Sequence, residues 1–482
     1  MLNSPTMASL LTLPQELLAH IATILYNRTP RTGNEPVVNA PAAPPPDRES
    51  VSDLSKTCRQ LRSFGQAELF TSITCKDDPI QAIRLIRTLL SRPDLGAKVK
   101  EIILSDFDAD NYRNSPEAES EWLITPDDEA VLNEALERFD VRSLTDSAGE
   151  EVYTGVPLRI EAVKKRKAPR FPWSPEQSGI AALAILLSPN VYNIALHAHN
   201  WTIPHFATPL CTFDHLTEIT WEPGPDGEGV KIDGSMEWLM DAAPNLKRFY
   251  GYIVEDMEGG GSHKGVTNVV MGYSYLDSSC FDLIVSTFPN MTDFTYTADS
   301  GPTWGSTTEA TPAEIIDALL PLKDKLTSLT LDLNFSPAAQ DDDWDEDEVN
   351  MSNLSQMTAL GYLSVTCMGV IKEESDDEDS ESEDEDEDED EDGNEQSNET
   401  KEAKPIKETS HVKFLQSLMA PNLEVLHVLG VPEDFKIMAF ADIAAASYPK
   451  LKEIGMGYHL SDHKGEGAVL KAYFKERGII VV

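Results

Sequence analysis

No window of about 18 apolar residues occurs in the chain, so no stretch is suited to cross a bilayer as a helix. Cysteine is scarce and scattered: Cys58, Cys75, Cys211, Cys280 and Cys367 are odd in number and form no C-x-x-C pair. That excludes a disulfide framework and fits a reducing compartment. Positive charge is short as well. Against 83 Asp and Glu stand 39 Lys and Arg, for a formal net charge of -44. Phosphates would be repelled by most of such a surface, which speaks against nucleic acid and against an anionic membrane.

Catalytic signatures are missing too. There is no H-E-x-x-H and no G-x-S-x-G, and the stretch Gly259 to Gly265 lacks both the spacing of a phosphate loop and a hydroxyl after Lys264. It reads as a flexible loop. His197 and His199, with His205 nearby, offer a strand-spaced pair without a carboxylate close in sequence, short of the roughly three protein ligands a metal needs. Acidic pairs are too abundant for one to stand out as an acid and base couple. The reading is a protein that is not an enzyme, with no catalytic residue, metal or cofactor. The N-terminus shows no basic segment followed by an apolar core and cleavage site. A soluble protein of the cytoplasm and/or nucleus is expected.

What the chain does have, first, is leucine in helical phase. Thr12, with Pro14 and Gln15, reads as a helix start. Leu17, Leu18, Ile21, Ile24 and Leu25 then share one face. Val51, Leu54, Cys58, Leu61 and Phe64 form a second, and Leu69 and Phe70 a third short helix after Gly65. Between the first two, residues 28–47 carry six prolines and no apolar period, an insertion a loop absorbs cheaply.

This stretch resembles the F-box, a small three-helix module that recruits its owner to a ubiquitin ligase. The resemblance rests on Leu13-Pro14-Gln15-Glu16-Leu17-Leu18 with Ile21 and Leu25, then Leu54, Cys58-Arg59, Leu61 and Leu69-Phe70, over roughly residues 1–75. It implies a Skp-type adaptor and a cullin ligase as partners, and an unidentified protein substrate. The adaptor contact would be made by Leu13, Pro14, Leu17, Leu18, Ile21, Leu25, Leu54, Cys58 and Leu61.

From Val99 onward a pattern L-x-x-h-x-h, with h apolar, recurs. It starts at Val99, Val191, Leu216, Met291, Leu326, Leu360, Leu423 and Leu451, with a degenerate copy at Leu246. Pro189-Asn190, Pro244-Asn245, Pro289-Asn290, Pro421-Asn422 and Pro449-Lys450 each precede a start and follow a helix-like run. Proline ends a helix at the residue before it, so the unit is helix, proline turn, short strand. Residues 76–482 therefore resemble an irregular leucine-rich-repeat solenoid, an α/β fold with parallel strands inside and helices outside. That family places Asn or Cys eight positions after the leading leucine, where only Asn334 fits here.

One step between starts, 360 to 423, is long because it holds an acidic run. In Glu373 to Asp392, 17 of 20 residues are Asp or Glu, and the insertion at 373–409 is expected to be disordered. Val163 to Arg170 is a small basic cluster, read as a solvated loop or an import signal.

Alternation along each strand sends Glu101, Asn193, His197, Glu218, Glu222, Arg248, Tyr250, Tyr252, Tyr362, His427 and Glu453 to the face opposite the apolar positions. Tyrosine and arginine dominate interface energies, so Arg248, Tyr250, Tyr252 and Tyr362 are the candidate anchors for a protein target. A second reading is a non-enzymatic acidic scaffold, or a histone-binding protein that holds basic partners through the acidic tract.

Overall fold

The computed structural model describes residues 14–25, 48–57, 59–75, 79–105, 126–139, 175–197, 212–223, 229–232, 234–257, 261–298, 310–333, 350–366, 417–429, 448–456 and 466–481. By contacts the chain forms two compact units, the first Met1–Ser274 with Ser286–Met291, the second Tyr275–Val285 with Thr292–Val482.

The first unit opens with three helices that pack on one another, α1 (Gln15–Leu25), α2 (Arg48–Thr57) and α3 (Arg59–Leu69). Leu18, Ala22, Val51 and Leu61 are buried in it, and the Thr23 hydroxyl donates to Glu68 Oε1 at 3.0 Å, tying α1 to α3. Gly65 corrects the sequence reading. It is not a break but lies inside α3, where an added Cβ would come within 2.9 Å of Ser55 Cβ and 3.1 Å of the Val51 carbonyl. The helices cross too closely there for a side chain, and α3 runs unbroken from Arg59 through Gly65 to Leu69.

The chain continues through β1 (Ser72–Cys75), α4 (Pro79–Ser91), α5 (Pro93–Gly96), β2 (Glu101–Ser105), α6 (Pro126–Arg138), α7 (Pro175–Leu186), β3 (Asn193–His197) and β4 (Glu218–Glu222). After these come β5 (Val230–Ile232), α8 (Gly234–Asp241), β6 (Arg248–Tyr252), β7 (Val254–Met257) and β8 (Asn268–Ser274). Six strands pair in parallel in the order β1, β2, β3, β4, β6, β8, and β5 pairs with β7 apart from them. One register row of Ile73, Ile102, Ile194, Ile219, Phe249 and Val269 runs through the core.

Helix α9 (Ser278–Thr287) leads toward β9 (Asp293–Ala298), α10 (Pro312–Leu319), β10 (Ser328–Asp332), β11 (Tyr362–Thr366), β12 (Val425–Leu429), β13 (Glu453–Met456), α11 (Glu466–Glu476) and β14 (Ile480–Val481). In the second unit β9 to β14 pair in parallel in chain order. Phe294, Leu329, Leu363, Leu426 and Ile454 form its core row. Helix α10 starts on a capping box, the Thr311 hydroxyl accepting from the Glu314 N–H and the Glu314 carboxylate from the Thr311 N–H.

One set of backbone bonds recurs at the start of strand after strand. A single carbonyl accepts two successive N–H groups from the next strand. Thr71 takes Lys100 and Glu101, Lys100 takes Tyr192 and Asn193, Tyr192 takes Thr217 and Glu218, and Thr217 takes Lys247 and Arg248. In the second unit Thr292, Thr327, Gly361 and Glu424 do the same. The leading apolar residue closes a turn onto the carbonyl three residues back, as Leu216 onto Phe213 and Met291 onto Phe288. The asparagines of the Pro-Asn pairs then bond the previous turn. Asn190, Asn245, Asn290 and Asn422 Nδ2 donate to the carbonyls of Ala97, Asp214, Lys264 and Thr358. Each acceptor lies two residues before a leading residue, Val99, Leu216, Val266 or Leu360.

Two of these strands are absent from the sequence reading. β1 follows α3 directly, and β8 is led by Val266, before which Lys264-Gly265 replaces Pro-Asn. The stretch read as a flexible loop is, from His263 to Val266, the turn that opens β8, with the Val266 N–H bonded to the His263 carbonyl. The His263 side chain is 7% exposed and sits where Phe213, Phe288 and Met357 sit at other strand starts. Its Nε2 has no hydrogen-bond partner among the described residues.

Replacing Asn190 by Ala should cost about 1 kcal/mol, the net worth of one such bond, read as a lower urea midpoint. Burial holds the His263 imidazole below its ordinary value, against the pull of Asp241 and Glu237. The folded state thus binds this proton less readily than the unfolded one, and stability falls as pH drops below about 6.5. In His263→Met that part of the acid sensitivity should vanish, and stability at pH 7.5 should rise by roughly 1 kcal/mol or more as the orphaned nitrogen goes.

Candidate functional site

The nine residues expected at an adaptor contact are sorted by the helical module. Leu13 and Cys58 lie outside the described residues, and Leu25 ends α1. Leu18 and Leu61 point inward and are buried, whereas Ile21 and Leu54 are half-buried and Pro14 is exposed. Leu17 is 47% exposed, among the few large apolar side chains so placed in the described residues. The alternation arises because Leu17 and Leu18, one residue apart, are about 100° apart around the helix, so the core takes one and leaves the other outside.

Arg248, Tyr250 and Tyr252 all belong to β6 in the first unit, and Tyr362 to β11 in the second. The β6 residues alternate with buried Phe249 and Gly251 and so share the outward side. Register aligns Arg248 with Glu218 on β4, and Arg248 Nε donates to Glu218 Oε2 at 2.7 Å. One strand further, Asn193 Nδ2 donates to Glu101 Oε1 at 3.2 Å, and the Ser72 hydroxyl donates to Glu101 Oε2 at 2.7 Å. The result is a polar row across five strands.

At the C-terminal strand ends, His197 Nδ1 lies 2.8 Å from Glu222 Oε2. The carboxylate missing from the sequence neighbourhood of His197 thus arrives from the adjacent strand. His199 and His205 fall outside the described residues, and among the described residues no group of three or more potential metal-binding side chains comes together.

Tyr252 is more enclosed than an anchor on an open face. Its residue exposure is 7%, and its phenol has no hydrogen-bond partner among the described residues. Burial first, and the Glu222 charge second, push its pKa well above the ordinary range. Tyr250 is half-buried and shifted upward by the same order of causes, burial and then Glu218, with Arg248 opposing. The ring of Tyr252 lies on Gly272 of β8, where an added Cβ would come within 2.6 Å of Cδ1. Directly after it, Ile253 has φ 49°, a left-handed conformation costly for a β-branched residue. That turn lets the Ile253 N–H bond the Gly272 carbonyl while its own carbonyl accepts from Val230, and so peels β7 away to pair with β5.

In the second unit the Tyr362 hydroxyl lies 3.4 Å from His427 Nδ1, and His427 Nε2 lies 3.2 Å from Glu453 Oε1. The rings of Tyr362 and His427 meet edge to face, with centroids 5.5 Å apart. Gly455 leaves the space that the imidazole fills, since an added Cβ would come within 2.6 Å of His427 Cδ2. Of the remaining outward residues, Ser72 and Asn268 were beyond sequence reasoning because their strands were not recognised. The basic cluster and the acidic run lie outside the described residues.

A scan against protein-family models and a search of curated proteins found no match.

Gly272→Ala should destabilise the protein by about 1–3 kcal/mol, because the Tyr252 ring must leave its seat. Most of that loss should disappear in a Tyr252→Ala background, a coupling measurable by urea unfolding of the single and double variants.

Proposed function

We propose that the chain is the substrate-recognition subunit of a Skp–cullin–F-box type ubiquitin ligase. In this reading α1–α3 form the F-box and hold the adaptor, and the parallel strands with their helices form an irregular leucine-rich-repeat solenoid whose outward strand face holds the target. The subunit makes no bond itself; it raises the target's concentration near an enzyme carried by other subunits. The observation that carries the reading is the exposed Leu17 beside exposed Pro14, on a module whose interior is already filled by Leu18, Ala22, Val51 and Leu61. An apolar side chain left outside a complete small core is suited to an apolar partner surface.

The second reading, an acidic scaffold or histone-binding protein, is favoured by the net charge of -44 and the run Glu373 to Asp392. Deleting residues 373–392 would abolish capture of basic proteins under that reading and leave adaptor binding untouched under the first.

Burying Leu17 in a partner is worth roughly 1.5–3 kcal/mol. Leu17→Asp should therefore abolish co-purification with a Skp-type adaptor while the unfolding free energy stays within about 0.5 kcal/mol of wild type, as for other surface changes. Leu18→Ala, by contrast, should cost about 2–5 kcal/mol of stability in the module. A folded wild-type chain that captures no adaptor would overturn the reading.

A further inference from the structure

We propose that the rim of the first unit where the strands begin, formed by Lys98, Lys100, Tyr192, Lys247 and Lys264, binds an extended acidic segment of a polypeptide partner. This rim is not the outward strand face, and the inference goes beyond the function proposed above and stands without it.

Lysine is segregated onto this rim. Between residues 79 and 274 the described residues include five lysines, and four of them lie within two residues of a leading apolar residue: Lys98 and Lys100 beside Val99, Lys247 beside Leu246 and Lys264 before Val266. The fifth, Lys231, pairs with Asp256. None of the four makes an ion pair among the described residues. Lys100 Nζ and Lys247 Nζ donate instead to carbonyls, those of Asn190 and Gly265, each at a long 3.4 Å. In a chain with 83 acidic residues against 39 basic ones, these lysines are positive charge that the surrounding surface does not neutralise.

The acids close to the rim are few or already held. One, Asp214, stands at the entry to β4. Asp94, near Lys98, is bound twice by the Arg92 guanidinium, at 2.8 and 2.7 Å. Glu101 and Glu218 belong to the outward row, where Ser72 and Asn193 hold the first and Arg248 the second.

Register sets the spacing of the charges. The backbone bonds at the strand starts link Lys100, Tyr192, Thr217 and Lys247 one to the next. Three steps of about 4.8 Å put Lys247 about 14 Å from Lys100, the span of about four residues of extended chain. Lys98 adds to one end, and Lys264, at the entry to the neighbouring strand β8, adds to the other. Between the ends the Tyr192 side chain is 39% exposed, a surface for an apolar residue. The complement is an extended chain with carboxylates at two places about four residues apart and an apolar residue between them. Nucleic acid fits less well, because its phosphates recur along its whole length, whereas the entries to β3 and β4 hold no lysine or arginine and carry Asp214.

The test uses the full chain and the fluorescein-labelled peptide Gly-Glu-Glu-Leu-Leu-Glu-Glu-Ser, read by anisotropy at about 0.15 M salt, where charges more than about 8 Å away are largely screened. A control peptide has glutamine for every glutamate. The glutamate peptide should bind about fivefold or more tighter than the control, even though the net charge of -44 repels it. Lys100→Gln and Lys247→Gln should each weaken it about threefold, and together about tenfold, as for exposed ion pairs too far apart to couple. Lys231→Gln, which lies off the rim, should change nothing. Equal binding of the two peptides, or wild-type affinity in the double variant, would overturn the proposal. A thymidine pentanucleotide with the same four charges that binds as tightly as the glutamate peptide, and is lost in the same double variant, would give the rim to nucleic acid and overturn it as well. Binding that appears only after residues 373–392 are deleted would give the rim to the chain's own acidic run, against a partner.

Discussion

The structure depends on one hydrogen-bonding constraint, a carbonyl at the start of strand after strand that accepts two consecutive N–H groups of the next. From Thr71 to Lys247 in the first unit and from Thr292 to Glu424 in the second, that carbonyl fixes the register of the strand pair it bridges. Register in turn fixes chemistry, because a slip of one residue would turn the core row of Ile102, Ile194 and Ile219 outward and bury Glu101, Asn193 and Glu218. The Asn190, Asn245, Asn290 and Asn422 amides brace the same place from the side. Polar and apolar rows therefore stay separated across strands that are far apart in sequence.

Much of this was legible in the residues, and the reason is physical. Proline cannot continue a helix, so the Pro-Asn pairs marked where helices end and strands begin, and α7, α8 and α9 all end within a few residues of them. The helical faces of α1 and α2 were legible because a 3.6-residue period survives in leucines. β8 was not, because Gly265 stands where the other copies have Asn and its leading residues are Val266, Val269 and Met271. The role of asparagine was misplaced. Sequence reasoning sought it eight positions after the leading apolar residue, while the structure uses the position immediately before. The break between α2 and α3 was misread at Gly65, since a glycine that permits close helix packing has the same letter as one that ends a helix.

Of the candidate site, the side of the sheet on which a residue falls was legible and its depth was not. Strand alternation put Arg248, Tyr250 and Tyr252 on one face correctly. Whether a tyrosine stands proud or lies flat depends on what the neighbouring strand offers, and Gly272 offers Tyr252 a bed. Likewise the helical period grouped Leu17 with Leu18, although only tertiary packing decides which of two adjacent leucines the bundle takes in. Partners of His197 and His427 were invisible for the same reason: Glu222 and Glu453 are 25 and 26 residues away in sequence and come close only through register.

The doubly accepting carbonyls also have a mechanical side. In a parallel ladder each strand is tied to its two immediate neighbours and to nothing beyond them, so tension applied at one end is borne by a single row of bonds at a time. Such a sheet peels strand by strand under load instead of yielding all at once. For a protein drawn by its end into a narrow channel, the Thr292, Thr327, Gly361 and Glu424 carbonyls would give way one after another, each step releasing one strand and leaving the next in register.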